Sequence, residues 1–207
     1  MENIAPTKST LLAAKNSLDF SKKGFELLDK KRNVLIREMM SYVSKAYELQ
    51  DEINITFSKA YKALQTANIS SGISNVEDIS MTVEKSNDYE ILFKSVMGVE
   101  VPKVIFEKKE IKPKYGFYRT NAAIDEAMKE FNKVKYLTYE LAEIENAVYR
   151  LAIEVSKTQK RTNALQNIQI PKFQEIVKFV TEVLAEKERE DFFRLKVVKK
   201  KYKKEGF

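Results

Sequence analysis

The chain has 207 residues, of which 43% are apolar, and a formal net charge of +7. It contains no cysteine and no histidine, which excludes disulfides, thiol nucleophiles, cysteine-held structural zinc and histidine acid–base catalysis. The first residues lack the apolar core of a signal peptide, and no run approaches the ~18 uninterrupted apolar residues of a membrane span. We therefore expect no metal site, no cofactor and no direct insertion into a membrane.

Apolar residues at seven-residue spacing dominate the N-terminal third and predict a long coiled-coil helix. Thr7 is a candidate N-cap, and Ser70, Ser71 and Gly72 are expected to end the helix. With Leu11 at heptad position a, the a residues are Leu11, Leu18, Phe25, Met39, Ala46, Ile53, Ala60 and Ala67, and the d residues are Ala14, Ser21, Leu28, Leu35, Tyr42, Leu49, Thr56 and Ala63.

Arg32 interrupts the a column. Either its long side chain leaves the interface and its guanidinium reaches solvent, or the charge fixes the alignment of the two helices at some cost in stability. The sequence favours the first interpretation.

Residues 73–119 differ in character from the flanking segments, because they contain Gly98, Gly116, Pro102 and Pro113. Short β-prone runs bounded by glycine and proline predict a small β-hairpin, together with a short helix near residues 75–79. The runs are 81–83, 89–93, 99–101 and 103–106, and residues 115–118 are a candidate strand to pair with the last of them.

A second heptad pattern begins after Thr120 or Asn121, either of which can cap a helix. Pro171 lies within this segment, and proline removes a backbone hydrogen bond and clashes with the preceding turn, so we expect a kink or short break there. The helix is expected to resume at Lys172 and to continue to about Lys204. The a residues are Ala127, Val134, Leu141, Val148 and Val155, and the d residues are Leu137, Ile144, Leu151 and Leu165.

The two patterns predict a mainly α fold, a long antiparallel two-helix coiled coil with a small mid-chain β-hairpin element. Residues 1–72 would form the N-terminal helix, residues 73–119 the mid-chain element and residues 120–207 the kinked C-terminal helix, all in one structural unit. If Ile69 and Asn121 lie level at the loop end, Leu11 faces the region near Phe179, and about 25 residues of the second helix extend beyond the first.

Positive charge is concentrated at the C-terminus. From Arg194 to Phe207 seven residues are basic and only Glu205 is acidic, whereas the rest of the chain is close to neutral. A basic terminus can bind nucleic acid or anionic lipid, but a nearly neutral rod offers no continuous track for phosphates. Acidic residues such as Glu143 and Glu145 are interspersed with Lys and Arg, so we interpret them as solvated surface and not as a catalytic pair.

Several large side chains fall outside both heptad seams. Single exposed tyrosines are ordinary in proteins, but a group on the loop half of both helices favours a contact surface for a partner. The group comprises Tyr47, Ile55 and Tyr61 on the first helix and Tyr136, Tyr139 and Tyr149 on the second.

Six short segments are spread in order over nearly the whole chain: PTKSTLL (6–12), GFELLDKKR (24–32), VMGVEVP (96–102), RTNAL (161–165), IP (170–171) and EKEREDFFRLK (186–196). Together they resemble the D-subunit family of the vacuolar- and archaeal-type (V/A-type) rotary ATPases. The resemblance implies a central rotor shaft, a non-catalytic component that transmits torque between a catalytic hexamer and a membrane rotor. The complex would synthesise or hydrolyse ATP while moving protons or sodium ions.

The resemblance also implies partners and a location. The partners would be the A and B head subunits, the small F stalk protein and a socket protein that joins the shaft to the membrane ring, on the cytoplasmic side of the membrane as a peripheral component. Head contacts are expected at Lys8, Leu11, Arg189, Arg194, Lys196, Lys199, Lys200 and Lys203. Contacts with the small stalk protein or socket are expected at Tyr47, Ile55, Tyr61, Val101, Val104, Phe106, Tyr118, Tyr136, Tyr139 and Tyr149.

Two other functions compete with the rotor shaft. One is a non-rotary antiparallel coiled-coil scaffold or adaptor, which would not co-purify with an ATPase head. The other is a basic coiled coil that binds nucleic acid, which would show salt-dependent binding to DNA or RNA. We expect no nucleic-acid partner.

Overall fold

The computed structural model describes residues 5–83, 88–108, 115–116 and 120–204, except for the side chains of Lys203 and Lys204. The elements are α1 (Lys8–Ser71), α2 (Ile73–Thr82), β1 (Tyr89–Val96), β2 (Val99–Phe106), α3 (Ala122–Ala164), a π-helical turn (Leu165–Gln169) and α4 (Ile170–Lys204). The predicted fold class is confirmed: two long helical segments and a small antiparallel β-hairpin between them. Across the described ranges, none of the helices combines the length and the hydropathy that crossing a membrane requires.

The chain divides into two compact units. The terminal unit comprises Met1–Arg32 with Ser156–Phe207, and the central unit comprises Asn33–Val155. Helices α1 and α3 contribute to both units. The seam positions predicted from the heptads are buried or half-buried in each unit, so the interpretation of the periodicity as a helical interface is correct.

In the terminal unit, α1 lies antiparallel to the later helices. Thr7 caps α1, because the Thr10 N–H donates to Thr7 Oγ1 at 3.1 Å, and this confirms the predicted N-cap. Lys8 Nζ lies 3.4 Å from Glu188 Oε1, and Leu11 and Leu184 line the same groove. The groove beside Leu11 includes Thr181, two residues from Phe179, so Leu11 lies close to the region of α4 that the sequence predicted. The Lys8–Glu188 ion pair places the start of α1 somewhat further along α4 than the prediction did.

Pro171 does not break the helix. The chain passes from α3 through the π-helical turn into α4, and the Ile170 N–H donates to the Leu165 C=O, five residues earlier. This wider turn accommodates the missing proline N–H and its ring, which an α-helical turn tolerates poorly. The predicted interruption is thus a local change of helix type.

Arg32 is held within the terminal unit. Its Nη1 donates to Gln159 Oε1 at 2.9 Å, and its Nη2 lies 2.6 Å from Asp29 Oδ1. The side chain is only 22% exposed, so the favoured interpretation, in which the guanidinium reaches solvent, is wrong. The contact with Gln159 crosses the seam and aligns α1 with α3.

In the central unit, the hairpin packs on both long helices. Val99 and Val101 of β2 join one buried cluster with Leu35 of α1 and Leu151 of α3. At the other end of this unit, a second cluster joins the end of α1, α2, the start of α3 and one residue of the loop: its buried members are Ala67, Tyr115 and Ile124.

The mid-chain element differs from the prediction in two places. Met81 and Thr82 continue α2 and do not form a strand, because α2 packs Val76 and Ile79 against the second cluster. β2 runs unbroken through Pro102, and its partner is β1. Residues 117–118, which the sequence offered as part of another partner strand, lie outside the described residues.

Leu151 provides a test of the seam. It has no exposed surface, so Leu151→Ala should lower the free energy of unfolding by about 2–5 kcal/mol through lost burial and a residual cavity. Urea unfolding followed by circular dichroism measures the change. Ile153→Ala, on the same helix but 38% exposed, is the matched control and should cost clearly less. Equal losses would contradict the seam assignment.

Candidate functional site

The first candidate surface is formed by the start of α1 and the C-terminal part of α4. An open groove of about 470 Å³ is lined by Lys8, Leu11 and Leu12 of α1 and by Leu184 and Glu188 of α4, among others. A shallower depression next to it contains Arg189, Phe192 and Phe193. The structure therefore places three of the predicted head-contact residues, Lys8, Leu11 and Arg189, close together.

The remaining predicted head contacts follow along α4. Arg194 makes long ion pairs with Glu190 at 3.6 Å and with Asp191 at 3.7 Å, and its side chain is 75% exposed. Exposed ion pairs of this kind contribute little to stability, so such cations are free to exchange partners. Lys196, Lys199 and Lys200 are exposed, and the side chain of Lys203 lies outside the described residues.

Exposed apolar side chains accompany these cations. Leu195, Val197, Val198 and Tyr202 are each at least 47% exposed. A helix end that presents both apolar groups and positive charge to solvent offers a surface suited to a complementary protein wall.

The second candidate surface lies in the central unit. Four of the predicted partner-contact residues are exposed there by 59% or more: Tyr47, Ile55, Tyr61 and Tyr149. Tyr61 is oriented by its neighbours, since its ring stacks on Phe57 and meets Phe131 edge-on, with centroids 5.9 and 5.7 Å apart.

The other residues predicted for this surface have their contacts within the chain. Val101 and Tyr136 are buried, and the Phe106 ring stacks on Tyr136 and meets Tyr139, at centroid distances of 5.3 and 5.8 Å. The hairpin therefore covers part of the tyrosine group. Tyr118 lies outside the described residues.

Polar and charged residues of α3 fix the hairpin. Lys135 Nζ lies 3.2 Å from Asp88 Oδ2, just before β1, and faces the rings of Tyr136 and Tyr139. Further along α3, Arg150 Nη1 donates to the Glu100 C=O at 3.1 Å, and its guanidinium covers the Phe93 ring.

Between these two contacts, Glu143 accepts a hydrogen bond from the Val104 N–H at 2.7 Å. Glu143 is half-buried, so its interpretation as solvated surface is wrong. The sequence carried no signal for this contact, because a single glutamate on a helix does not reveal that a strand will cover it.

Tyr115 closes the far end of the central unit. Its hydroxyl donates to Asp125 Oδ1 in the first turn of α3. Burial raises the pKa of Tyr115 to about 12, and the bond to Asp125 adds to this effect. The loop is thereby attached to the start of α3.

Together these features define a class of helical protein: two helix-paired units, one with an exposed basic helix end and one with a firmly held hairpin. A family model for the ATP synthase D subunit matches residues 10–200. The chain belongs to this D-subunit family of ATP synthases, which confirms the resemblance found in the sequence, and with it the assignment to the central stalk of a V/A-type rotary ATPase.

Individual relatives agree over almost their whole length. The V-type ATP synthase D subunit of Thermotoga neapolitana is 44% identical over 199 residues, covering 96% of this chain and 98% of the relative. The A-type ATP synthase D subunit of Thermococcus kodakarensis is 38% identical over 200 residues, covering 95% and 94%. The Pyrococcus furiosus protein of the same name is 34% identical, covering 95% and 93%.

Glu143→Ala should loosen the hairpin. It removes a hydrogen bond to a charged acceptor, so amide exchange at Val104 should become about tenfold faster, measured by NMR or mass spectrometry. Glu145→Ala, an exposed neighbour on the same helix, should leave that amide unchanged. Unchanged exchange in Glu143→Ala would contradict the contact.

Tyr115 should make the free energy of unfolding depend on pH in the alkaline range. Its pKa is raised from 10.0 to about 12, so the stabilisation is complete below pH ~10 and is lost as pH rises towards ~12, where the folded protein also ionises this group. Urea midpoints at pH ~9 and ~11.5 should therefore fall further in the wild type than in Tyr115→Phe. Equal falls in both proteins would argue against the buried phenol.

Proposed function

We propose that this chain is the non-catalytic rotor shaft of a V/A-type ATPase or ATP synthase, and that it transmits torque between the catalytic head and the membrane rotor. The observation that carries the proposal is the match to the ATP synthase D subunit over residues 10–200, together with the exposed basic end of α4. The partners are the A and B head subunits, the small F stalk protein and a socket protein, on the cytoplasmic side of the membrane.

The terminal unit supplies the contact with the head in this proposal. The groove beside Lys8 and Leu11 and the cations from Arg189 to Lys200 meet the inner wall of the hexamer. An asymmetric pair of helices presents a different face to each catalytic interface. Rotation therefore favours different states of successive sites, because the contact free energy of each state differs.

The central unit supplies the contacts with the stalk proteins in this proposal. The exposed side chains of Tyr47, Ile55, Tyr61 and Tyr149 form the surface proposed for the small stalk protein or the socket. Exposed aromatic groups on rigid helices are suited to this role, since they bury a large area with little loss of side-chain freedom. Val101, Phe106, Tyr136 and Tyr139 have their contacts within the central unit, where they hold the hairpin against α3.

The proposal is tested by reconstitution. Head subunits assembled with and without this chain are compared for ATP hydrolysis, and the chain alone is assayed as well. We expect no hydrolysis by the chain alone and a change in turnover when it is added to the head. An unchanged head that does not retain the chain would favour the non-rotary scaffold.

Removal of residues 194–207 should uncouple the complex without unfolding the chain. The described side chains lost from α4 are exposed, so the melting temperature should change little, whereas ion pumping per ATP hydrolysed should fall. Calorimetry and a pumping assay measure the two effects. Loss of cooperative melting would contradict the assignment of this segment as a contact helix.

A charge variant separates the effect of length from that of charge. Lys199→Gln with Lys200→Gln should weaken coupling in a salt-dependent way. Lys157→Gln with Lys160→Gln removes the same charge from an earlier part of the helical segment, within α3, and should leave coupling near the wild-type level.

A further inference from the structure

The hairpin turn fixes which backbone groups of β1 point outward. Val96 pairs with Val99 across a two-residue turn of Met97 and Gly98, whose φ angles are 51° and 81°. Two residues in the left-handed region make a turn that is closed by a hydrogen-bonded pair. Hydrogen-bonded and non-hydrogen-bonded pairs then alternate along the hairpin.

Backbone groups along the outer edge of β2 are bonded to side chains of α3. By this alternation the outward groups of β2 include the Glu100 C=O, which accepts from Arg150, and the Val104 N–H, which donates to Glu143. Pro102 lies between them and has no N–H.

The outer edge of β1 is open over the part of the chain that the structure describes. The residues that point N–H and C=O groups outward along it are Tyr89, Ile91, Phe93 and Ser95. Ile91, Leu92 and Phe93 are 50%, 46% and 58% exposed. An exposed apolar strand edge is a template for pairing with another strand.

We propose that the free chain self-associates through this edge, with β1 of two copies paired antiparallel about a two-fold axis at Leu92. This register sets Ile91 of one copy opposite Phe93 of the other. Both residues point their backbone groups outward, so they form hydrogen-bonded pairs. The result is a four-stranded sheet in the order β2, β1, β1 of the partner, β2 of the partner.

The charges on β1 favour this register, and they favour a second copy of the chain as the partner strand. Pairing about Leu92 sets Glu90 of each copy opposite Lys94 of the other, and opposite charges directly across strands are stabilising. Pairing about Phe93 would set Lys94 opposite Leu92. Pairing about Ile91 would set Lys94 opposite Asp88, which already binds Lys135.

The dimer concerns the chain before assembly, so its test is independent of the rotor function. Sedimentation velocity of the full chain over a concentration series measures the dimer dissociation constant. Glu90→Lys and Lys94→Glu should each weaken dimerisation about tenfold, because each replaces two attractive pairs by two repulsive ones. Lys103→Glu, on β2 with the same change of charge as Lys94→Glu, is the control and should have little effect.

Charge exchange separates the pairing from a folding defect. The double variant Glu90→Lys with Lys94→Glu restores opposite charges and should dimerise like the wild type. An equimolar mixture of the two single variants should form mixed dimers, because one copy then carries two lysines and the other two glutamates.

Three results would overturn the proposal. One is a wild-type chain that remains monomeric at high micromolar concentration. Another is a pair of single variants that dimerise as well as Lys103→Glu does. A monomeric chain whose Ile91 and Phe93 amides become protected from exchange only in the assembled ATPase would overturn it too, and would show that another component of the complex supplies the strand.

Discussion

The burial of small and branched side chains between α1 and α3 is the constraint on which the central unit depends. Leu35 and Leu151 have no exposed surface, and neither do Ala60 and Ala147. Alanine lets two helix backbones approach closely, while leucine fills the adjacent space, so the faces interlock in one register. Val99 of the hairpin joins the same cluster as Leu35 and Leu151, and the position of the β-hairpin therefore follows from the pairing of the helices.

The terminal unit uses a different means of alignment, because its seam contains polar residues. Thr158 and Thr162 are buried, and the Thr162 hydroxyl donates to the Thr158 C=O at 2.9 Å. A hydroxyl that bonds to its own helix is satisfied but contributes no alignment between helices. The Arg32–Gln159 bond supplies that alignment. A charged residue in the seam thus gains a directional contact where apolar packing is sparse.

Helix pairing was predictable from the sequence, whereas the contacts outside the seam were not. The seven-residue period predicts which faces of the long helices pack together, and Thr7 and Gly72 predict the ends of α1. The same pattern showed only that Tyr47 and Tyr136 lie off the seam. Tyr47 is exposed and Tyr136 is buried, because the hairpin packs on Tyr136. A local periodicity cannot predict contact with a segment that is distant in the sequence. The π-helical turn was missed for a similar reason: Pro171 predicts a disturbed turn but not its type.

Pro102 links the sequence of the hairpin to its orientation. Proline is tolerated in a strand only where its missing N–H does not belong to the ladder, so β2 presents an incomplete edge. Such an edge is a poor template for another strand. It suits a helix whose side chains each bond one of the remaining backbone groups, as Glu143 and Arg150 do. β1 contains no proline and keeps a complete row of donors and acceptors. With β2 held against α3, the edge that faces away from α3 is therefore the one able to pair with another strand.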